Sequence, residues 1–277
     1  MNNVRPIAFI LRMTLLLGFT AFVAGASPSK TNDIAGPVPD LEGAVHGFPE
    51  LLDLQGKKLA DGEFTQWIED DRLHVTIIYN HGDGHRVEER SVFQQSPRLI
   101  QESWSWSEFD NGQLLRHFEV DFKAGKARAT KRKGNELKYW FRDVRIEPGT
   151  TFAGFGFALA IKSFRQRLVD GQAVQLQAVG FTPKPRLVTV EISYGGLDEM
   201  TMGGRTVQGD RFVVHPKLSW FIRLFIKVKD SRIWFTDTRP FAFLRSENPV
   251  SEPTDPMVRV DVLPGSRSGA AEPAARD

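Results

Sequence analysis

The chain has 277 residues, of which 41% are hydrophobic and 25% are charged, and it contains no cysteine. This composition is typical of a folded globular protein, and the lack of thiols excludes disulfide bonds, thiolate metal sites and lipid attachment to an N-terminal cysteine. The formal net charge is only +2. Nucleic acid is therefore not expected as a partner. Phenylalanine occurs 21 times, which indicates a core built largely from aromatic rings.

The first 26 residues have the features of a secretory signal peptide. Arg5 and Arg12 are basic, no acidic residue precedes Asp33, and residues 14–26 read TLLLGFTAFVAGA, a short apolar run that ends in small residues. We expect cleavage after Ala26 and a periplasmic or secreted mature chain. A retained membrane anchor is the alternative, although the apolar run is shorter than a membrane-spanning helix needs.

Charge is distributed unevenly along the chain. Residues 33–122 contain 18 acidic and 7 basic residues, whereas residues 123–277 contain 26 basic and 16 acidic residues. One interpretation is that the two halves form ion pairs with each other in a single fold. The other is that the second half presents a basic face to an anionic component of the cell envelope.

Most of the first half reads as short strands. Residues 27–45 are rich in Pro, Ser, Gly and Asn and are predicted to be a linker, and residues 48–54 form a turn of helix or an irregular edge. After them, turn signals such as His81-Gly-Asp-Gly and Asp110-Asn-Gly separate alternating apolar runs, which predicts an antiparallel meander. The predicted strands are 63–68, 73–80 (with Tyr79 on the apolar face), 85–95, 98–109, 114–122, 126–133 and 136–144.

One long helix interrupts this rhythm between Thr151 and Leu168. Because glycines 154 and 156 disfavour the first turn, we expect the helix to begin near Gly156, with Thr150 or Thr151 as the N-cap. Its apolar stripe consists of Phe157, Ile161, Phe164 and Leu168.

Strands resume after the helix and end before a polar tail. We predict strands at 173–181, 186–194, 200–202, 205–215, 226–229, 233–236 and 241–246, and a short helix at 216–225. Residues 46–248 would then form a single β-rich domain, and residues 249–277 a disordered tail in which 257–263 is a candidate edge strand. The predicted fold is mainly β, with a curved or partly closed antiparallel sheet, half-barrel-like, that wraps the one main helix. A two-sheet β-sandwich is the alternative.

The order of elements from Phe152 to Asn248 resembles a group of exported bacterial β-rich proteins of unknown function. The resemblance rests on a helix, the segment RQRLVDGQAVQLQAV, the Pro-flanked strand RLVTVEISY, and a closing strand that ends Leu244-Arg-Ser-Glu-Asn. The chain departs from the group at Glu247, where glycine is usual. The group brings no established activity. Exported curved sheets around a helix include carriers of lipids or lipoproteins, which favours a hydrophobic ligand by analogy.

Two sets of residues are candidates for binding. The first set would be core residues, or a pocket wall if the sheet leaves space beside the helix stripe: Trp104 and Trp106 on one strand face, and Phe157, Ile161 and Phe164 of the helix. Basic residues interleaved with aromatic rings in a hairpin would hold an anionic group, or would only be solvated: Arg128, Lys131, Arg132, Lys133, Lys138 and Arg142.

No motif predicts catalysis, a cofactor, a nucleotide or a metal. His81 and His85 flank two glycines in a hairpin tip, where the spacing does not bring imidazoles together as it would on a helix. The acidic pairs 70–71 and 88–89 are interpreted as solvated turns or edges, since strand neighbours point to opposite faces. Three functions remain: a non-catalytic exported protein that binds a hydrophobic or amphipathic ligand, an envelope assembly factor for a protein or anionic polymer, and a hydrolase without a recognisable motif.

Overall fold

The computed structural model describes residues 33–217 and 228–262. Within these ranges the chain forms 16 strands and one helix, so the prediction of a mainly β fold is confirmed. The predicted signal peptide, most of the predicted helix at 216–225 and the end of the predicted tail lie outside the described residues. The elements are β1 (Val45–Gly47), β2 (Glu50–Asp53), β3 (Lys58–Glu69), β4 (Arg72–Asn80), β5 (His85–Gln94), β6 (Ile100–Asp110), β7 (Gln113–Asp121), β8 (Lys126–Lys133), β9 (Glu136–Asp143), β10 (Thr151–Phe152), α1 (Gly156–Val169), β11 (Val174–Thr182), β12 (Lys184–Met202), β13 (Arg205–Pro216), β14 (Ser231–Thr236), β15 (Phe243–Pro249) and β16 (Met257–Asp261).

All of these strands belong to one sheet. Their order is β10-β11-β12-β13-β14-β15-β16-β2-β3-β4-β5-β6-β7-β8-β9, and β1 pairs additionally with β3. The sheet is mixed, because β10 and β11 run parallel while the other pairs are antiparallel. It is also open, because the end strands β10 and β9 do not pair with each other in the described part of the chain. The two-sheet sandwich is therefore wrong.

The two segments predicted to lack structure contribute to this fold. Residues 249–262 are ordered, and β16 lies between β15 and β2, with Val258 opposite both Asn248 and Asp53. In the predicted linker, Ala35 and Val38 are buried in the core. Tertiary contacts thus involve segments whose local composition is polar, and the candidate strand at 257–263 corresponds to β16.

The helix packs against strands from both halves of the sheet. Ile161, Phe164 and Leu168 of α1 lie in one core cluster with Leu73 of β4 and Leu176 of β11. The helix begins at Gly156, as the two glycines predict. The single buried stripe of α1 therefore joins regions that are about 100 residues apart in sequence, which makes the helix central to the core.

Ion pairs connect the acidic and basic halves. Lys162 of α1 pairs with Glu42, Arg167 pairs with Asp33 at 2.9 Å, and Lys123 pairs with Glu102 at 2.8 Å. The uneven charge of the chain is thus partly compensated within one fold.

Candidate functional site

A cavity of about 1200 Å³ lies between α1 and strands of both halves of the sheet. This volume exceeds the roughly 300–1,000 Å³ that is common for ligand pockets. Most of the side chains around the cavity are apolar, among them Leu51, Leu59, Phe64, Ile77, Val87, Phe181, Ile233, Phe243 and Val258. Such a wall can hold an apolar chain, because contact with it removes hydrocarbon surface from water.

Three of the five predicted pocket-wall residues line this cavity. They are Trp104, Trp106 and Phe157. Ile161 and Phe164 do not line it, because they are buried in the core among the strands. The apolar stripe of α1 therefore runs from the cavity wall at its N-terminal end into the core. Ligand binding by these residues stays a prediction.

Stacked aromatic rings form one side of the cavity. The ring of Phe181 in β11 lies 5.8 Å from that of Trp104 and 4.7 Å from that of Phe118, and Trp106 stacks on Phe118 at 5.6 Å. These contacts join β6 and β7 to β11, which is distant from them in the sheet order. The rings are therefore rigid wall elements that few rotamer changes can displace.

Glu89 is a half-buried carboxylate in the wall of the cavity. Its Oε1 accepts hydrogen bonds from Nε1 of Trp104 at 2.9 Å and from the backbone N–H of Phe155 at 2.7 Å. Burial raises the pKa of Glu89, although these two hydrogen bonds act in the opposite direction. Phe155 is the N-cap residue of α1, whose first turn has neither an acidic residue nor a side-chain cap. From β5, Glu89 accepts the N–H of this N-cap residue. The predicted N-cap at Thr150 or Thr151 is wrong, because the N-cap is Phe155.

Gly154 permits this close approach. Its φ is +50°, and a Cβ at this position would lie 2.1 Å from Oε1 of Glu89 and 2.2 Å from Nε1 of Trp104. Any other residue would be strained and would also displace the hydrogen-bonded carboxylate. The glycine that delays the start of the helix thus makes room for Glu89.

Tyr79 lies beside Glu89 on the same face of the sheet. Tyr79 is opposite Val87, and Ile77 is opposite Glu89, so the phenol and the carboxylate are diagonal neighbours on β4 and β5. Burial raises the pKa of Tyr79, and the negative charge of Glu89 adds to the effect. Among the described residues, neither Oη of Tyr79 nor Oε2 of Glu89 has a hydrogen-bond partner, and both residues line the cavity.

A second polar group in the wall is saturated with ion pairs. We call it the Arg116 cluster, and it consists of His85, Glu108, Arg116, Glu252 and Asp255. Arg116 donates to Glu108, to Asp255 at 2.8 Å and to Glu252 at 3.1 Å, and His85 lies 2.9 Å from Glu108. Burial alone would raise the pKa of Glu108, but the hydrogen bonds from Arg116 and His85 outweigh burial and hold the pKa below its usual range.

The cavity opens to solvent near β1. Phe48 and Val45 line the cavity, yet Phe48 is 70% exposed and Val45 is also exposed. Lys162 of α1 lines the cavity as well, where its ammonium group pairs with Glu42. Exposed apolar side chains therefore border the cavity where it meets solvent.

The residues predicted to hold an anionic group divide between the two faces of the β8–β9 hairpin. Arg128 is opposite Phe141 and Arg132 is opposite Leu137, whereas Lys131 is opposite Lys138. Since side chains alternate along a strand, Arg128 and Arg132 share one face of the hairpin, whereas Lys131 and Lys138 share the other. The remaining members of the set are Lys133, on the lysine face of β8, and Arg142, on the same face of β9.

Several of these basic side chains already have partners. Lys131 pairs with Glu252, Arg132 donates to the carbonyl of Leu114 at 2.8 Å, and Arg142 donates to the carbonyl of Pro185 at 3.4 Å. Lys133 and Lys138 are exposed and form no ion pair with a described residue. The structure thus separates the predicted set instead of forming one basic patch.

A shallower groove of about 940 Å³ is bordered by Arg128 and Arg142, together with Trp67 and His74. The guanidinium of Arg128 lies 4.9 Å from the centroid of Phe141 and pairs with Glu119 at 3.2 Å. This groove is more polar than the cavity because it lies among serine, carboxylate and arginine side chains.

The two histidines of the hairpin tip do approach each other. The rings of His81 and His85 are 4.4 Å apart, and burial, together with the proximity of His85, lowers the pKa of His81. In residues 33–217 and 228–262, no group of three or more His, Asp or Glu side chains is arranged to hold a metal ion. His85 is instead a partner of Glu108 within the Arg116 cluster.

The fold and the site define a mainly β protein with a large apolar cavity. No protein-family model matches the sequence, and no curated protein matches it. Among solved structures, the hypothetical lipoprotein YmcC from Escherichia coli K12 matches with a TM-score of 0.34 and 13% identity, over 81% of this chain and 89% of that chain. A similarity of this size supports no inference about function. The helix of the described residues lacks the length and apolar character that membrane-spanning helices need.

Proposed function

We propose that this chain is a non-catalytic, exported protein that binds a hydrophobic or amphipathic ligand in its cavity. The observation that carries the proposal is the apolar cavity of about 1200 Å³ with its exposed apolar entrance at Val45 and Phe48. The signal-like N-terminus would direct the mature chain to the periplasm or the exterior. In this proposal the open sheet curves around α1 like a half-barrel, which keeps the cavity between the helix and the strands.

The test is native mass spectrometry of the purified mature protein, with dodecanol added where no ligand co-purifies. Phe157→Glu places a charge in the cavity wall, and Val169→Glu is the matched control on the exposed end of the same helix. We expect ligand adducts on the wild type and on Val169→Glu and a large loss on Phe157→Glu, because a carboxylate in an apolar wall disfavours hydrocarbon. A wild-type protein that carries no ligand and takes up no dodecanol would overturn the proposal.

A second candidate function is assembly through an anionic polymer at the sheet edge. It is favoured by the end strand β9 and by Lys133 and Lys138, which are exposed on one face of the hairpin and have no ion-pair partner among the described residues. Polyphosphate should then bind the wild type in a salt-dependent way and should bind the Lys133→Glu, Lys138→Glu double variant more weakly. Equal binding by both proteins would contradict this candidate.

A further inference from the structure

One negatively ionisable group inside the cavity has unused hydrogen-bonding capacity. Both hydrogen bonds that Glu89 accepts from described residues end on Oε1, and both donors, Trp104 Nε1 and Phe155 N–H, are uncharged. No Lys, Arg or His of the described residues pairs with this carboxylate. A desolvated carboxylate without a cation is unfavourable. A charge-assisted hydrogen bond from a cationic ligand would therefore be stronger here than in water.

The surroundings of Glu89 suit an ammonium group. Tyr79 offers a second oxygen from the neighbouring strand. The rings of Trp104, Trp106 and Phe155 line the same cavity, and aromatic faces attract a desolvated cation. An ammonium group has three donors, which is enough to contact Oε2 of Glu89 and Oη of Tyr79 together.

Two cationic side chains of the cavity are neutralised. Lys162 pairs with Glu42, and Arg116 pairs with three carboxylates of the Arg116 cluster. A third, Lys229, lines the cavity without an ion pair to a described residue, but a ligand carboxylate or phosphate placed at Glu89 would face a carboxylate whose own partners are uncharged. The electrostatics of the described cavity wall therefore disfavour an acidic head group at this position.

We propose that Glu89 and Tyr79 form an ammonium-binding site inside the cavity, so that the ligand is an amphipathic primary amine whose hydrocarbon chain fills the apolar remainder. This inference rests on the proposed function. Glu89 binds the ammonium through Oε2, Tyr79 accepts a second hydrogen bond, and the bonds from Trp104 and Phe155 to Oε1 hold the carboxylate in place.

The test compares three probes with the same chain: dodecylamine, dodecanol and dodecanoate. Each is titrated calorimetrically into the full mature protein below its micelle concentration. We expect dodecylamine to bind at least about tenfold more tightly than dodecanol, as one charge-assisted hydrogen bond allows, and dodecanoate to bind most weakly.

Three variants locate the effect. Glu89→Gln keeps an oxygen acceptor for Trp104 and Phe155 while it removes the charge, so dodecylamine should bind no better than dodecanol. Tyr79→Phe removes only the hydroxyl and should reduce dodecylamine affinity by a few fold. Glu88→Gln is the charge-matched control, because Glu88 pairs with Arg86 and Arg90 and does not line the cavity. It should keep the amine preference.

The outcomes separate this inference from the proposed function. If dodecanol binds but the amine is not preferred, or if Glu89→Gln keeps the preference, the ammonium site is refuted and the cavity function stands. If none of the three probes binds, both fail. If a single-chain phosphatidylethanolamine binds more tightly than the matching phosphatidylglycerol, the ammonium site is supported and its ligand is an aminolipid. If neither phospholipid binds but dodecylamine does, the ammonium site is supported and its ligand is a free amine.

Discussion

Glu89 and Glu108 are two carboxylates in the same cavity wall with opposite surroundings. They lie on the neighbouring strands β5 and β6, where Glu89 is opposite Trp106 and Glu108 is opposite Val87. Glu89 receives only uncharged donors, and burial raises its pKa. Glu108 receives Arg116 and His85, and its pKa stays low. Desolvation prevails at Glu89, where the donors are uncharged, whereas the charged donors outweigh desolvation at Glu108.

The difference separates an ion-paired region from the region that we propose for ligand binding. The Arg116 cluster connects β5, β6 and β7 to the segment between β15 and β16, and each of its three carboxylates pairs with Arg116, while Glu252 also pairs with Lys131. The Glu89 region caps α1 but leaves Oε2 and the hydroxyl of Tyr79 without partners among the described residues. The first arrangement contributes stability, whereas the second leaves electrostatic capacity for a ligand.

The largest effect should come from breaking the Arg116 cluster. Arg116→Leu leaves Glu108, Glu252 and Asp255 without their shared cation, and removing one member of a buried ion-pair network costs about 3–5 kcal/mol of unfolding free energy. Urea denaturation measures the loss. Arg128→Leu is the control, since its pair with Glu119 is half exposed and should contribute no more than about 1 kcal/mol. Equal losses in the two variants would mean that the cluster is not structural.

A smaller effect should follow from Gly154→Ala in the Glu89 region. The new Cβ would overlap Oε1 of Glu89 and would displace it from Trp104 and Phe155. Gly134 also has a positive φ but has open space around it, so Gly134→Ala measures backbone strain alone. Gly154→Ala should lose about 1–3 kcal/mol more than Gly134→Ala in thermal or urea unfolding, which is the cost of unsatisfied buried polar groups. The same loss in both would show that the contact with Glu89 is unimportant.

The smallest effects, and the sharpest comparison, come from neutralising each carboxylate. At pH 7, Glu108→Gln should lower the free energy of unfolding by about 1.5–3 kcal/mol, because it removes the negative charge that strengthens the hydrogen bonds from Arg116 and His85. Glu89→Gln should be neutral or stabilising, because it removes a buried charge and keeps an acceptor. Urea denaturation of both variants beside the wild type gives the two differences.

The pH dependence of these differences should have opposite signs. The lowered pKa of Glu108 contributes stability above its ordinary value of 4.5, and this stability is lost as pH falls through the lower folded-state value. The raised pKa of Glu89 contributes stability below 4.5 that is lost as pH rises through the higher folded-state value. The free energy of unfolding of Glu89→Gln should therefore increase relative to that of the wild type as pH rises above 4.5. The free energy of unfolding of Glu108→Gln should approach that of the wild type as pH falls below 4.5. Parallel profiles would show that the two carboxylates are equivalent.

The local sequence pattern predicted the strands better than it predicted which distant residues contact one another. Alternation in β4 placed Leu73, Val75, Ile77 and Tyr79 on one face, and strand β8 has the predicted bounds. The pair at 88–89 was interpreted as solvated, which is wrong for Glu89, because the donors that surround it come from β6 and the entry to α1. The alternation of side chains in β5 could have predicted the orientation of Glu89, because Glu89 lies two residues after Val87 and therefore on the same, inner face of the strand.

By itself the sequence determined the β-rich class, the main helix with its start at Gly156, and the aromatic character of the cavity wall, since these depend on residue spacing and local conformational preference. Only the tertiary structure decided that β16 joins the two halves of the sheet, that Glu89 caps α1 and that Arg116 collects three carboxylates. The physical reason is that these features depend on groups far apart in the chain. Burial and pairing are properties of neighbours in space, and the spacing of residues along a strand does not specify them.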